Sequence, residues 1–214
     1  ESKTKLIALL ERLKGMSITD IPRGKSFSIL GGNPQLSKTN QVFKNQLMDG
    51  KEVLVFDTPL ESAKNAVFPQ GQAYPGVMGG TCGLCSSATI MRKAGFDVDE
   101  KKIIDYSLSK NNPFHMPLCK PDGGTNFIYR AIILQGMCGI DTTAEVIPLA
   151  EVAKKVETGH GAIIGVNSYL YAPEWYKEPD GHALVLDSVV REKSTLKIIG
   201  YYVIDSNGRT SSEA

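Results

Sequence analysis

The sequence predicts an α+β protein in which a helical part carrying a cysteine packs on an antiparallel sheet carrying a histidine and an aspartate. Two observations predict it. Four stretches between residues 81 and 157 space their apolar residues three and four apart, the period of one helix face. From residue 162 the pattern changes to runs rich in Val, Ile, Leu and Tyr, at Ala162–Val166, Ala183–Val190 and Lys197–Ile204. Helices first and strands afterwards is the order of an α+β chain.

Taken in order, Leu6, Ile7, Leu9, Leu10 and Leu13 share a helix face over residues 3–14, which Gly15 ends. Residues 16–60 are irregular, with candidate strands at Phe27–Leu30 and Val53–Phe56 and turns at Pro22, Gly31-Gly32-Asn33-Pro34 and Asp49-Gly50. Residues 1–60 therefore read as an N-terminal helix and a small lobe or prodomain-like cover. Residues 59–80 are rich in Pro, Gly, Gln and Ala and read as a loop. The next helix starts at Cys82, buries Leu84, Ala88 and Met91, and stops at Gly95. Asp97 is placed to cap a helix over 98–110 whose buried side is Ile103, Ile104 and Leu108. Asn111–Gly124 is a loop with His115 and Cys119. Thr125 then caps a helix that is apolar nearly all round and so central, and Pro148 starts another that Gly159 ends. Between the first two strands lies the aromatic loop Tyr169–Asp180, with Trp175.

With 214 residues and 42% apolar content the chain can bury a sizeable core. Twenty-four basic against 23 acidic residues give no global field for nucleic acid or an anionic membrane, so neither is expected as a partner. No apolar run approaches the about 20 residues of a membrane span. Four cysteines are too few for a disulfide scaffold, which points to reducing conditions at the place of action. The chain begins at Glu1 rather than Met and is expected to be a piece of something longer, so an export signal could lie outside it.

The chemistry centres on Gly79-Gly80-Thr81-Cys82-Gly83-Leu84-Cys85. A cysteine in a helix's first turn faces unpaired N–H groups and the positive end of the helix dipole, which lowers its pKa and makes it a nucleophile. The last two strands should form a hairpin across Arg191–Ser194. A turn centred between Lys193 and Ser194 opposes His182 to Asp205, whereas a centre one residue away opposes it to Val203 or Asn207. Opposed residues lie about 5 Å apart at Cβ, within reach of a carboxylate–imidazole hydrogen bond. With the cysteine helix on that sheet, Cys82 is a candidate nucleophile, His182 its base and Asp205 the group that orients the base.

In order and in local sequence these residues resemble a family. Gly80-Thr81-Cys82-Gly83, Gly123-Gly124-Thr125, the Gly159–Val166 strand, His182-Ala183-Leu184-Val185 and Tyr202-Val203-Ile204-Asp205-Ser206 are similar to the papain-like effector domains at the ends of bacterial polymorphic toxins. Those domains are related to the peptidases that process bacteriocins after double glycine. The resemblance covers about residues 76–208 and implies a papain-like catalytic domain over 61–214. It implies a cysteine peptidase without metal or cofactor, secreted and delivered to the cytoplasm of a recipient bacterium. There it would cut a target protein after a small residue or Gly-Gly, and a cognate immunity protein would neutralise it in the producer. The processing peptidases carry an oxyanion glutamine about six residues before the cysteine, where this chain has Gly76. Gln72 is taken for that role, with Gln70 the other near glutamine, and the Cys82 N–H is the second donor. Gly80, Trp175 and Gly181 are expected on the substrate side.

Plainer readings stand beside these. Cys82 also fits a buried apolar residue, and Cys82-x-x-Cys85 a redox pair, although the strand that should precede such a pair is missing. A zinc site from Cys82, Cys85, Cys119 and His182 or His115 would lack a second close pair of ligands. Asp205-Ser206-Asn207-Gly208 is also a turn signature, and Asp180 is a rival orienter. Cys85, Cys119 and Cys138 fit packing roles, and His115 and His160 fit surface turns. A glutamine deamidase or transglutaminase would use the same triad on a side-chain amide, and an inactive papain-fold binding module would keep the fold without the chemistry.

Overall fold

The computed structural model describes residues 27–32, 43–48, 50–56, 64–110, 112–171, 180–207 and 209–210, with backbone alone for 27–32, 43–44 and 209–210. The helix expected over 3–14 and Trp175 lie outside the described residues. Among the described residues the strands are β1 (Phe27–Gly32), β2 (Phe43–Met48), β3 (Lys51–Phe56), β4 (Asp141–Val146), β5 (His160–Asn167), β6 (Gly181–Glu192), β7 (Ile198–Asp205) and β8 (Arg209–Thr210). The helices are α1 (Cys82–Lys93), α2 (Glu100–Leu108), α3 (Phe127–Cys138), α4 (Leu149–Glu157) and the single turn α5 (Ser168–Tyr171).

All strand pairings are antiparallel and join one sheet, so the class is α+β with an antiparallel sheet. The sheet is not confined to the second half of the chain. β1 lies between β4 and β5, and β3 pairs with β6. A boundary at residue 60 would therefore cut the sheet, which corrects the expectation of a separate N-terminal lobe. Gly31 and Gly32, expected in a turn, end β1. β7 covers one edge of β6 from Val185 to Arg191, which leaves β5 and β3 to share the other edge end to end.

Burial on both faces explains the unbroken apolar run Ala183–Leu186 in β6. Ala183 and Val185, with Ile163 and Ile204, meet the α1–α3 side through Leu84, Met91, Ile103, Ile104 and Ile133. Leu184 and Leu186, with Ala162 and Ile164, meet Val152, Ala153 and Val156 of α4 on the opposite side. The sheet is thus the middle of three layers. β4 was not foreseen because its inward positions include Thr142, whose hydroxyl is buried and donates to the Ala131 carbonyl at 3.1 Å. A strand that buries a hydroxyl does not read as apolar alternation.

Helix ends follow local chemistry, with two corrections. α1 stops where Gly95 takes φ +90° and the Phe96 N–H returns to the Met91 carbonyl. α2 is capped by Asp99, which accepts the Lys102 N–H at 2.7 Å, while Asp97 pairs with the Lys102 ammonium instead. α3 is capped by Asn126 rather than Thr125. Pro148 precedes α4 as expected. Among the described residues no helix is long and apolar enough to cross a membrane.

Candidate active site

Cys82 is the first residue of α1, where a backbone ladder is still absent: the first intrahelical bond runs from Cys85 N–H to the Thr81 carbonyl at 2.9 Å. The N–H groups of Cys82, Gly83 and Leu84 consequently point out of the helix end. α1 is locked to the start of β6 through Ala183. The Ala183 N–H donates to the Cys82 sulfur, and the Ala183 carbonyl accepts the Ser86 hydroxyl at 3.2 Å. That double contact sets His182, the preceding residue, against the half-buried sulfur, and the two side chains hydrogen-bond.

His182 in turn bonds Asp205, Nε2 to Oδ1, at 2.8 Å. Nε2 is thereby committed to the carboxylate, and Nδ1 is the ring nitrogen left for Cys82. The strand register is one residue off the expected centre. Val185 pairs with Ile204 and Leu186 with Val203, so continuation would oppose Asp205 to Leu184 and His182 to Asn207. The bond forms across the diagonal, which long side chains on one face of a ribbon can span. Asp205 Oδ1 also accepts the Asn207 N–H at 2.9 Å, so the turn role and the orienting role fall on the same oxygen. Oδ2 is buried with no hydrogen-bond partner among the described residues.

Electrostatics separate the two cysteines of α1. Burial raises the pKa of Cys82, but the His182 hydrogen bond and charge, the Ala183 N–H and the Arg130 charge outweigh it and hold the thiol below its ordinary value. One turn on, Cys85 is fully buried and is pushed far up, by burial and by the Glu100 carboxylate. Burial lowers His182, yet Asp205 and Cys82 together lift it to about 9. The pair therefore favours thiolate and imidazolium.

The loop before α1 is held by a residue that the sequence did not flag. Buried Glu100 accepts N–H bonds from Gly71 at 2.5 Å, Gln72 at 2.9 Å and Ala73 at 2.8 Å, and the Thr81 hydroxyl at 2.5 Å. Burial would raise its carboxyl, and these donors hold it low instead. Gln72 spends its backbone there, and its exposed side chain makes no hydrogen bond among the described residues. Gln70 is the fixed glutamine: its amide nitrogen donates to Gly79 O at 2.8 Å and its oxygen accepts the Ser206 hydroxyl at 2.7 Å. It bridges the approach to Cys82 and the residue after Asp205.

The two glycine motifs meet. Gly80 N–H donates to the Asp122 carbonyl at 2.8 Å. A Cβ on Gly83 would stand 2.1 Å from Thr125 Oγ1 and 3.0 Å from Arg130 Nη1, so a side chain there would force those two to move. Arg130 was also missed; a lone charge inside a helix apolar on every side was the available signal. Gly181 is exposed, with its N–H on Asp180 Oδ1 at 2.7 Å, so the rival carboxylate is engaged there. Tyr171 lies with its ring 6.4 Å from that of His182.

His115 and His160 are exposed and bond nearby chain, the first to the Lys110 carbonyl and the second to Thr158 and Lys155. Cys119 is buried, and burial pushes Cys138 up to about 11. Among the described residues no group of three or more His, Cys, Asp or Glu is arranged to hold a metal ion. Comparison with family models, curated proteins and solved structures finds no match to this chain.

Proposed function

We propose that this chain is a cysteine peptidase with a papain-like arrangement of its helical part and sheet. The observation that carries the reading is the chain of contacts from Cys82 to His182 to Asp205 at the open end of α1. In this mechanism the Cys82 thiolate attacks the scissile carbonyl carbon. The oxyanion is met by the Cys82 N–H and by Gln70, which takes the role expected of Gln72 because its amide is held in place. His182 gives its proton to the leaving amine, and a thioester remains on Cys82. Water, deprotonated by His182, then attacks the thioester, releasing the acid and returning the proton to the pair. Asp205 holds the ring and its positive charge throughout.

The resemblance of the five motifs supports a narrower reading: an antibacterial toxin effector that cuts a cytosolic protein of a recipient cell, with a small residue or Gly-Gly before the cut, and that an immunity protein blocks. The test is to intoxicate cells with wild-type and Cys82→Ala protein and to search the proteome for new N-termini. Wild-type-specific N-termini are expected. Intact-mass measurement of the target separates the chemistries: two fragments mean peptidase, and a gain of about 1 Da means deamidation through the same thioester. Full activity in Cys82→Ala would end the proposal.

A further inference from the structure

Arg130 is 5% exposed and projects from the first turn of α3, yet among the described residues it meets no carboxylate. Nη1 reaches the Thr125 carbonyl at 3.2 Å and hydroxyl at 3.4 Å, and buried Nε has no hydrogen-bond partner among the described residues. A buried guanidinium without an anion is strongly destabilising, so its charge should be offset nearby. It lies against the backbone of Gly83, the residue after Cys82, where a side chain on that glycine would displace it.

We infer that Arg130 is a positioning residue for the nucleophile: its guanidinium supplies a positive charge beneath the first turn of α1 that keeps the proton on His182 rather than on Cys82. The inference rests on the peptidase reading of the site and adds to it a positive charge that persists while Cys82 and His182 exchange their proton, since burial lowers the Arg130 guanidinium only to about 10. The groups facing the sulfur are His182 from β6, with Asp205 of β7 behind it, Arg130 from α3, and Cys85 on the same helix with Glu100 beside it. The proton shared by Cys82 and His182 thus feels a cation at the sulfur end and an anion at the ring end. Both draw it towards the ring. The four groups Cys82, His182, Asp205 and Arg130 then carry two charges of each sign, so the buried cluster is neutral.

The test is the pH dependence of Cys82 alkylation by iodoacetamide, read by peptide mass mapping on the whole chain so that the other three cysteines are scored separately. In Arg130→Gln the inflection is expected to move up by about one pH unit, which is about tenfold slower labelling on the acid side. Arg130→Lys, which keeps the charge, should recover at least half of that shift. A merely structural arginine would change the melting temperature and leave the inflection in place. An unmoved inflection in Arg130→Gln overturns the inference. His182→Ala removes the largest counterweight to burial and isolates the arginine: in that background Arg130→Gln should raise the Cys82 inflection further and Arg130→Lys should not, and an inflection that the Gln substitution leaves unmoved also overturns the inference. A wild-type Cys82 that titrates as an ordinary thiol would instead remove the peptidase reading itself.

Discussion

His182 Nε2 lies 2.8 Å from Asp205 Oδ1 although the register of β6 and β7 sets the two residues diagonally. Asp205→Asn should keep the ring in place and withdraw the charge that holds His182 at about 9. Activity against a peptide should fall about 10²-fold or more, with its alkaline limb moved to lower pH. The sign for stability follows. The folded value lies above the unfolded one of about 6.5, so the stabilisation from His182 is complete below that pH and is lost as pH rises through about 9. Melting curves of wild type against His182→Ala across that window check it; a constant difference would contradict it.

Glu100 works in the opposite direction. Its carboxyl is held low, so its stabilisation is present above the ordinary carboxylate value and is lost as pH falls through the folded one. Glu100→Gln turns one acceptor oxygen into a donor and strands at least two of the five donors, which include the Cys85 thiol at 3.5 Å. A loss of about 2–4 kcal/mol is expected at pH 7, shrinking in acid, with increased proteolysis of the 70–81 loop. Urea titrations at pH 7 and pH 3.5 measure it.

Gly83→Ala inverts the usual rule for helices. Alanine ordinarily stabilises a helix interior by about 1 kcal/mol over glycine, but here the new Cβ would stand 2.1 Å from Thr125 Oγ1. A net destabilisation of about 1–3 kcal/mol is expected, and a rise in melting temperature would refute the contact.

Lys93 and Asp187 join the far end of α1 to the bulge in β6 at 2.5 Å, with the Asp187 side chain 2% exposed. Lys93→Met leaves that carboxylate buried and alone, a loss of about 3–5 kcal/mol. The double variant Lys93→Met with Asp187→Leu should recover most of it. Chemical denaturation of the three proteins decides, and equal losses in the single and double variants would count against the pair.

Gln70 and Gln72 differ in how they are held, and activity should reflect it. Gln70→Ala is expected to lower kcat by about 10²-fold, with Gln72→Ala within about twofold of wild type. The reverse order would return the oxyanion role to Gln72.

The sequence by itself determined the helix at Cys82, the strands around His182 and before Asp205, and the α+β class, because each is carried by local periodicity, a glycine stop or an apolar run. It also named the three residues that meet, since their order along the chain needed only a helix start and a hairpin. Tertiary structure alone decided how they meet. A turn centred one residue later moved the pairing, the register shifts at Val190/Arg191 and Leu186/Ser188 cancelling each other, and side-chain length across the diagonal restored the contact. It alone placed β1 and β3 in the sheet, because strand neighbours distant in the chain leave no local mark. Glu100 reads in sequence as an ordinary helix-start acid and Arg130 as a stray charge. Their work depends on which backbone N–H groups and which sulfur the packed chain brings to them, and burial sets the strength of those contacts only once water has been excluded.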